Sequence, residues 1–441
     1  MNLHDFYYKK VQPLHDFYFR MEQRGIRVDF GARRELVRKY KRLDHENDLE
    51  LSSLVGHDIN VNSPKQVGFV LYEELKIPYR KDTGEETLKS LLLNVLNKKP
   101  DKAKIVELIL KGRKIKKTIS TYIMAKVDSD GRIRTLCNIV GTETGRTSTS
   151  KLKPPTRAEI AGLPFQTLTK HGEVGPDLRG MFIPDVGYEF VEPDLSQAES
   201  RVVAILARDT IALAAFDEGR DIHKLTASWL YGCLPDTVTE NQRDLGKAVR
   251  HAGERGMGKH RLMMLAAGHD LKLSEWYSGE LLKKFHDSSP NIKSVYFHDV
   301  EEALLRNGLT LVSPQGRKRT FFERWGEELL KEAYSQLPQA TVGDHLKFSL
   351  VEIERQAPYI QMLQEGHDSG LTQVPSNQID EAAQIMTEIL QQPIDFSECS
   401  LPRGILKIPC EIKVGKQNWM KMEKRVLDKR TDRRNASIGV T

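Results

Sequence analysis

The chain has 441 residues, 39% of them hydrophobic, which is enough for two or three domains or subdomains around a buried core. Lysine and arginine total 67 against 61 for aspartate and glutamate, and the resulting formal charge of +6 permits a polyanionic partner without requiring one. Cys137, Cys233, Cys399 and Cys410 show no CxxC spacing, which argues against a zinc site or a disulfide framework, and no apolar run approaches the roughly 20 residues of a membrane span. The expectation is a soluble protein in a reducing, cytoplasmic setting, with no signal peptide in MNLHDFYYKK.

Residues 1–125 read as mostly helical, because apolar positions recur every three or four residues in LVRKYKRLDHENDLELSSLV and in IVELILKGRKIKKTISTYI. The second stretch is basic, with seven lysines and arginines from Lys102 to Lys117, Arg113 among them. It reads either as a solvated charged face or as a grip on phosphates. Strand-like runs follow in RIRTLCNIV and MFIPDVGYEFVEP, punctuated by Gly and Pro, up to about residue 210. Residues 211–310 turn helical again and the remainder is mixed. A polar, basic tail from about Lys424 is expected to be loose.

Three stretches carry chemistry. In VEPDLSQAESRVVAILARD, a strand ends at Asp194 and a helix follows, with Ser196 as the expected cap and Ala198, Val202, Val203, Ile205 and Leu206 as its buried face. Alone, Asp194 reads as a turn carboxylate. A second acid stands in QEGHDSGLTQVP, where His367 and Asp368 sit in a hairpin-like segment. Carboxylates on neighbouring strands can hold two divalent ions about 3.5 to 4 Å apart and clamp the oxygens of a phosphoryl transfer. In RDLGKAVRHAGERGMGKHR, Arg243, Lys247, His251 and Arg255 recur every fourth residue and line one helical face. Four potentially cationic groups on one stripe suit a triphosphate, or form a solvated face.

Together these stretches resemble the polymerase region of family A DNA polymerases. DLSQAESR is similar to the first catalytic motif, RDLGKAVRHAGERG to the nucleotide-binding helix and GHDS to the second catalytic motif, in the family's order. TGRTSTS, LPFQTL, DIHKLTASWLYG, PQGRKRTF, PQATVGD and EIKVGKQNW extend the resemblance over about residues 10 to 422.

The resemblance implies an α+β fold, a right hand with an antiparallel palm sheet, helical fingers and a helical thumb. The N-terminal helix and thumb would occupy 1–125, the palm 126–210 and 311–425, the fingers 211–310, and a flexible tail 426–441. It implies template-directed extension of a primer by deoxynucleoside triphosphates, with two magnesium ions on Asp194, Asp368 and the carbonyl of Leu195. Lys247 would act as general acid, and Arg243, Lys247 and His223 would hold the incoming phosphates. His251, Arg255, Gln197 and Glu199 would complete the nucleotide site, Glu199 as a steric gate against a 2′-hydroxyl. Arg146, Gln166, Gln339 and His367 would contact primer-template DNA, with Arg113 and Lys117 on its phosphates. The family usually has an aromatic residue at His251, a tyrosine at Arg255 and a glutamate at Ser369. The thumb-like region starts so early that no proofreading domain is expected, and a separate exonuclease or other replication proteins become candidate partners of a monomer. Two alternatives are a polymerase of ribonucleotides and a catalytically silent nucleic-acid-binding homologue.

Overall fold

The computed structural model describes residues 2–96, 99–151, 162–168, 170, 172–268, 271 and 273–426. The tail expected to be loose therefore lies, from 427 on, outside the described residues.

The first long helix, α1 (Gln12–Arg24), has a proline in its first turn and ends at Gly25, whose φ of 61° a larger residue would resist. The chain then departs from the mostly helical pattern expected for residues 1–125. Ile26–Val28 forms a short strand, β1, because its partners come from far along the chain: β2 (Arg132–Ile133) and β3 (Phe182–Ile183). Helix α2 (Phe30–Val55) follows, capped by the Asp29 carboxylate, which accepts from the amides of Gly31 and Ala32. Helix α3 (Pro100–Lys117) packs along it, and Leu51, Val61, Val70, Leu88, Val106 and Ile109 close a separate small core. Helix α1 does not join that core. Its Leu14, Phe17, Tyr18 and Met21 are buried in the main core with Val191 and Leu346.

The main sheet has five strands: β4 (Tyr188–Leu195), β5 (Gln361–Glu365), β6 (Gly370–Pro375), β7 (Cys410–Gly415) and β8 (Glu423–Arg425). Their order is β8-β7-β4-β6-β5, every pair antiparallel. Alternation along β4 sends Val191 into the main core and Phe190 into a second core with Phe165, Phe182 and Trp419. Thus β4 is buried on both faces although its sequence YEFVEPDL carries three acids, of which Glu189 and Glu192 are themselves buried.

Helix α4 (Ala198–Ala207) leaves the end of β4. From Thr210 to Arg306 the described residues form helices and no strand. Among them, α5 (Ile222–Tyr231) is capped by Asp221, α6 (Glu240–Glu254) begins in a Thr239/Gln242 capping box, and α7 (Glu275–Ser288) packs against both. Helix α8 (Glu327–Gln356) runs through Pro338, which has no N–H for the carbonyl of Tyr334. The hydroxyl of Tyr296 donates to that carbonyl instead, so the interior proline leaves no orphaned acceptor. Helix α9 (Ile379–Leu390) packs on β4 and β7 and against α8.

Candidate active site

Two strand ends bring Asp194 and Asp368 together. The amide of Leu195 donates to the carbonyl of Asp368 at 2.8 Å, and Asp194 and Ser369 form a β-bridge just beyond the β4–β6 ladder. The hairpin expected around GHDS is present, with β5 and β6 joined by a turn in which the Gly366 amide donates to the Ser369 carbonyl at 2.6 Å. The expected helix cap is not Ser196. Gln197 occupies the N-cap position at φ 51° with no side-chain cap, and the Ser196 amide instead donates to the Pro409 carbonyl. A left-handed residue turns the chain from strand to helix within one step, which leaves Ser196 still paired to the sheet side.

The acids are surrounded by lysines that the sequence did not single out. Lys170 lies 2.9 Å from Glu192 Oε1 and 3.2 Å from Asp194 Oδ2, and Lys413 lies 3.4 Å from the same Oδ2. Asp368 keeps solvent access at the turn, yet crowding by the surrounding protein and the charge of Asp194 push its carboxyl up to about 6, against the pull of Lys170 and Lys247. A carboxyl raised by a carboxylate beside it belongs to a donor set that fits a divalent cation. Among the described residues no group of three or more His, Cys, Asp or Glu side chains forms a metal cluster.

Beside the acids, Glu199 in the first turn of α4 is held between two arginines. Arg146 pairs with its Oε1 and Arg255 with its Oε2. Burial would raise its carboxyl, but Arg146, Arg255 and His251 hold it down at about 2.

The expected cationic stripe on α6 is real in geometry, but most of its charge is balanced by partners or lost to burial. Arg243 donates to Asp221 at 2.7 Å, Arg255 is taken by Glu199, and burial lowers His251 to about 4, so its imidazole is neutral near pH 7. Lys247 stays exposed. Repulsion along the stripe is relieved by acids from other elements, which periodicity on one helix cannot reveal. His223, on α5, faces His251 with ring centroids 5.5 Å apart, and burial keeps it too below its ordinary range. The Nδ1 atoms of both are buried without a hydrogen-bond partner.

The other expected residues divide. Gln197 spends its amide oxygen on the Ile222 amide at 2.8 Å. Gln166, in the 3-10 turn Phe165–Thr167, has a buried Nε2 with no partner, and Gln339 lies half-buried on α8 next to Pro338. His367 sits beside Asp368 at the turn, its imidazole lowered by crowding and by Arg146. Arg113 requires correction as a phosphate contact. Its guanidinium donates to the carbonyls of Val61 and Thr83 and to the Thr83 hydroxyl, so it staples the small core together. Of the rest of that basic run, Lys116 bridges Asp44 and Asp48 and Lys104 pairs with Glu50, while Lys111, Lys114 and Lys117 remain exposed.

Residues 32–421 match the model of DNA polymerase family A. The chain belongs to that family. Thermostable DNA polymerase I of Thermus thermophilus is 27% identical over 431 residues, 94% of this chain and 48% of that protein. DNA polymerase I of Deinococcus radiodurans is 26% identical over 94% of this chain and 42% of its own length, and that of Chloroflexus aurantiacus 29% over 88% and 41%. This family A chain thus spans less than half the length of these relatives. Its fold is that of the POL domain of Pol1 from M. smegmatis, solved in complex with DNA primer-template and dNTP, at a TM-score of 0.77 and 22% identity over 94% of this chain and 71% of that one. Among the described residues no helix is long and apolar enough to cross a membrane.

Of the residues missed in the sequence, Lys413 had a signal. It alternates with Glu411 on β7, and the register sets these residues opposite Glu192 and Asp194. Lys170 had none, since it stands outside regular structure in a polar stretch.

Proposed function

We propose that this family A chain extends the 3′ end of a primer on a DNA template, using deoxynucleoside triphosphates. The observation that carries this reading is the pair Asp194 and Asp368 at adjacent strand ends, within electrostatic reach of Lys247 on the fingers helix α6. Magnesium ions held by Asp194, Asp368 and the Leu195 carbonyl would supply Lewis-acid stabilisation of the attacking and leaving oxygens. The chain's own groups do the rest. Exposed Lys247 meets the triphosphate as a point charge and holds a proton at Nζ that the departing pyrophosphate can take. Arg243 orients the phosphates with the guanidinium nitrogens that Asp221 does not occupy, and neutral His223 and His251 offer donors without adding charge.

Glu199 lies between α4 and the end of α6 and screens the sugar, because a carboxylate held by two arginines cannot swing aside for a 2′-hydroxyl. Arg146, Gln166, Gln339 and His367 line the primer-template side, where donors can test the minor-groove acceptors shared by correct pairs. Lys117, exposed at the end of α3, takes part in holding the duplex phosphates. The departure at Ser369 leaves the pair intact, since a third carboxylate is not needed by a two-ion clamp.

Primer extension with each nucleotide type, at graded magnesium, tests the proposal. Extension with deoxynucleotides that Asp368→Asn abolishes supports it. Full-strength DNA binding with no extension of any kind would replace it with a silent homologue.

A further inference from the structure

Behind Arg146 lies a buried polar assembly that the nucleotide chemistry does not use. Arg146 stands in an irregular loop between the short strands Leu136–Asn138 and Ser148–Ser150, and each neighbour is tied to a different part of the molecule. On one side, the ammonium of Lys347 donates to the Gly145 carbonyl and sits 3.1 Å from Asp344 Oδ1, with both side chains fully buried on α8. Arg317 completes that group with two bonds to the Asp344 carboxylate, at 2.7 and 2.8 Å. Gly145 has a φ of 80°, and a Cβ there would lie 2.3 Å from Arg317 Cζ, so the loop lies flat on the guanidinium. On the other side, the Thr147 hydroxyl donates at 3.1 Å to the hydroxyl of Tyr18 on α1, which in turn donates to buried Glu365 at the end of β5.

We propose that Lys347 and Tyr18 are positioning residues for Arg146, fixing it from both flanks so that its guanidinium remains on Glu199. A long arginine side chain loses substantial rotamer freedom when held in one geometry, and a loop free to move could not hold it there. Burying an ammonium and a guanidinium with one carboxylate, and a second acid with a tyrosine, is costly unless each group is paired, and gains the core little over apolar packing. The two groups converge on the residues either side of Arg146, and holding that side chain is what they have in common. The inference rests on Glu199 as the element that screens the sugar.

Lys347→Met and Tyr18→Phe roughly keep the volume of each side chain and remove its link to the loop; Lys347→Met also removes one partner of Asp344, which Arg317 still holds. In single-nucleotide incorporation kinetics, each is expected to lower the preference for deoxy- over ribonucleotides by roughly three- to thirtyfold, with the double variant short of the product because both act through one loop. Glu199→Ala, measured alongside, is expected to lower the preference further and to make Lys347→Met and Tyr18→Phe silent when combined with it. Thermal unfolding of each variant separates positioning from loss of structure, since a lower melting temperature with unchanged sugar preference overturns the proposal. If Glu199→Ala itself leaves the preference unchanged, the reading of Glu199 fails, whatever the two flank variants do. If it lowers the preference and the flank variants do not, the positioning role fails alone.

Discussion

The Leu195 amide donates to the Asp368 carbonyl at 2.8 Å, and this one backbone bond sets the two acidic residues at the meeting point of β4 and the β5–β6 turn. Neither carboxylate depends on a long side chain or a mobile loop to reach the other. Removing one should therefore leave the scaffold intact and the chemistry lost. Asp194→Asn and Asp368→Asn are each expected to reduce magnesium-dependent extension by several powers of ten, the size of effect associated with a lost metal ligand. Fluorescence anisotropy should show primer-template binding retained. Extension near the parent rate in either variant would remove the pair from the active site.

Arg255 links the end of α6 to the first turn of α4 through Glu199, where the family usually has a tyrosine. Arg255→Ala should destabilise the fold by about 1.5 to 3 kcal/mol, the range for a hydrogen bond to a charged group. Arg146 stays to hold Glu199, so the loss should not reach that of an unpaired buried charge. Denaturant midpoints of Arg255→Ala, Glu199→Gln and the double variant should be non-additive. Strict additivity would mean that the pair contributes nothing.

Burial holds His251 at about 4 in the folded protein, against an ordinary value of 6.5. Between those values the unfolded chain binds a proton that the folded one does not, so stability falls as pH drops from about 6.5 towards 4. The contribution is of order 2 to 3 kcal/mol. His251→Phe should flatten this part of the profile, read as melting temperature at pH 7.0 and 4.5. An equal drop in parent and variant would place the acid sensitivity elsewhere.

Gly246 lies where α5 and α6 meet, and a Cβ there would sit 2.4 Å from the His223 carbonyl oxygen and 2.9 Å from Ala227 Cβ. Backbone cannot give way as a side-chain tip can. Gly246→Ala should cost about 1 to 3 kcal/mol, typical of overpacking, and should also raise the KM for deoxynucleotides by moving His223 away from His251. An unchanged midpoint and KM would show that the helices part freely.

Much of the arrangement was legible in the sequence for local reasons. The run ending at Asp194 read as a strand, the four-residue spacing from Arg243 to Arg255 as one face of a helix, and the segment around Asp368 as a hairpin, each from side chains within a few residues of one another. The order of these motifs was enough to suggest the family. What the sequence could not give were relations between distant residues. Strand β1 forms because β2 and β3 arrive beside it, and α1 belongs to the main core because β5 and α8 lie against it. The charge on the α6 stripe depended on Asp221 and Glu199, and the role of Arg113 on the carbonyls of Val61 and Thr83. Periodicity reports which face of an element is apolar, but the protonation, pairing and reach of a polar side chain depend on groups that only the folded chain brings within a few ångströms.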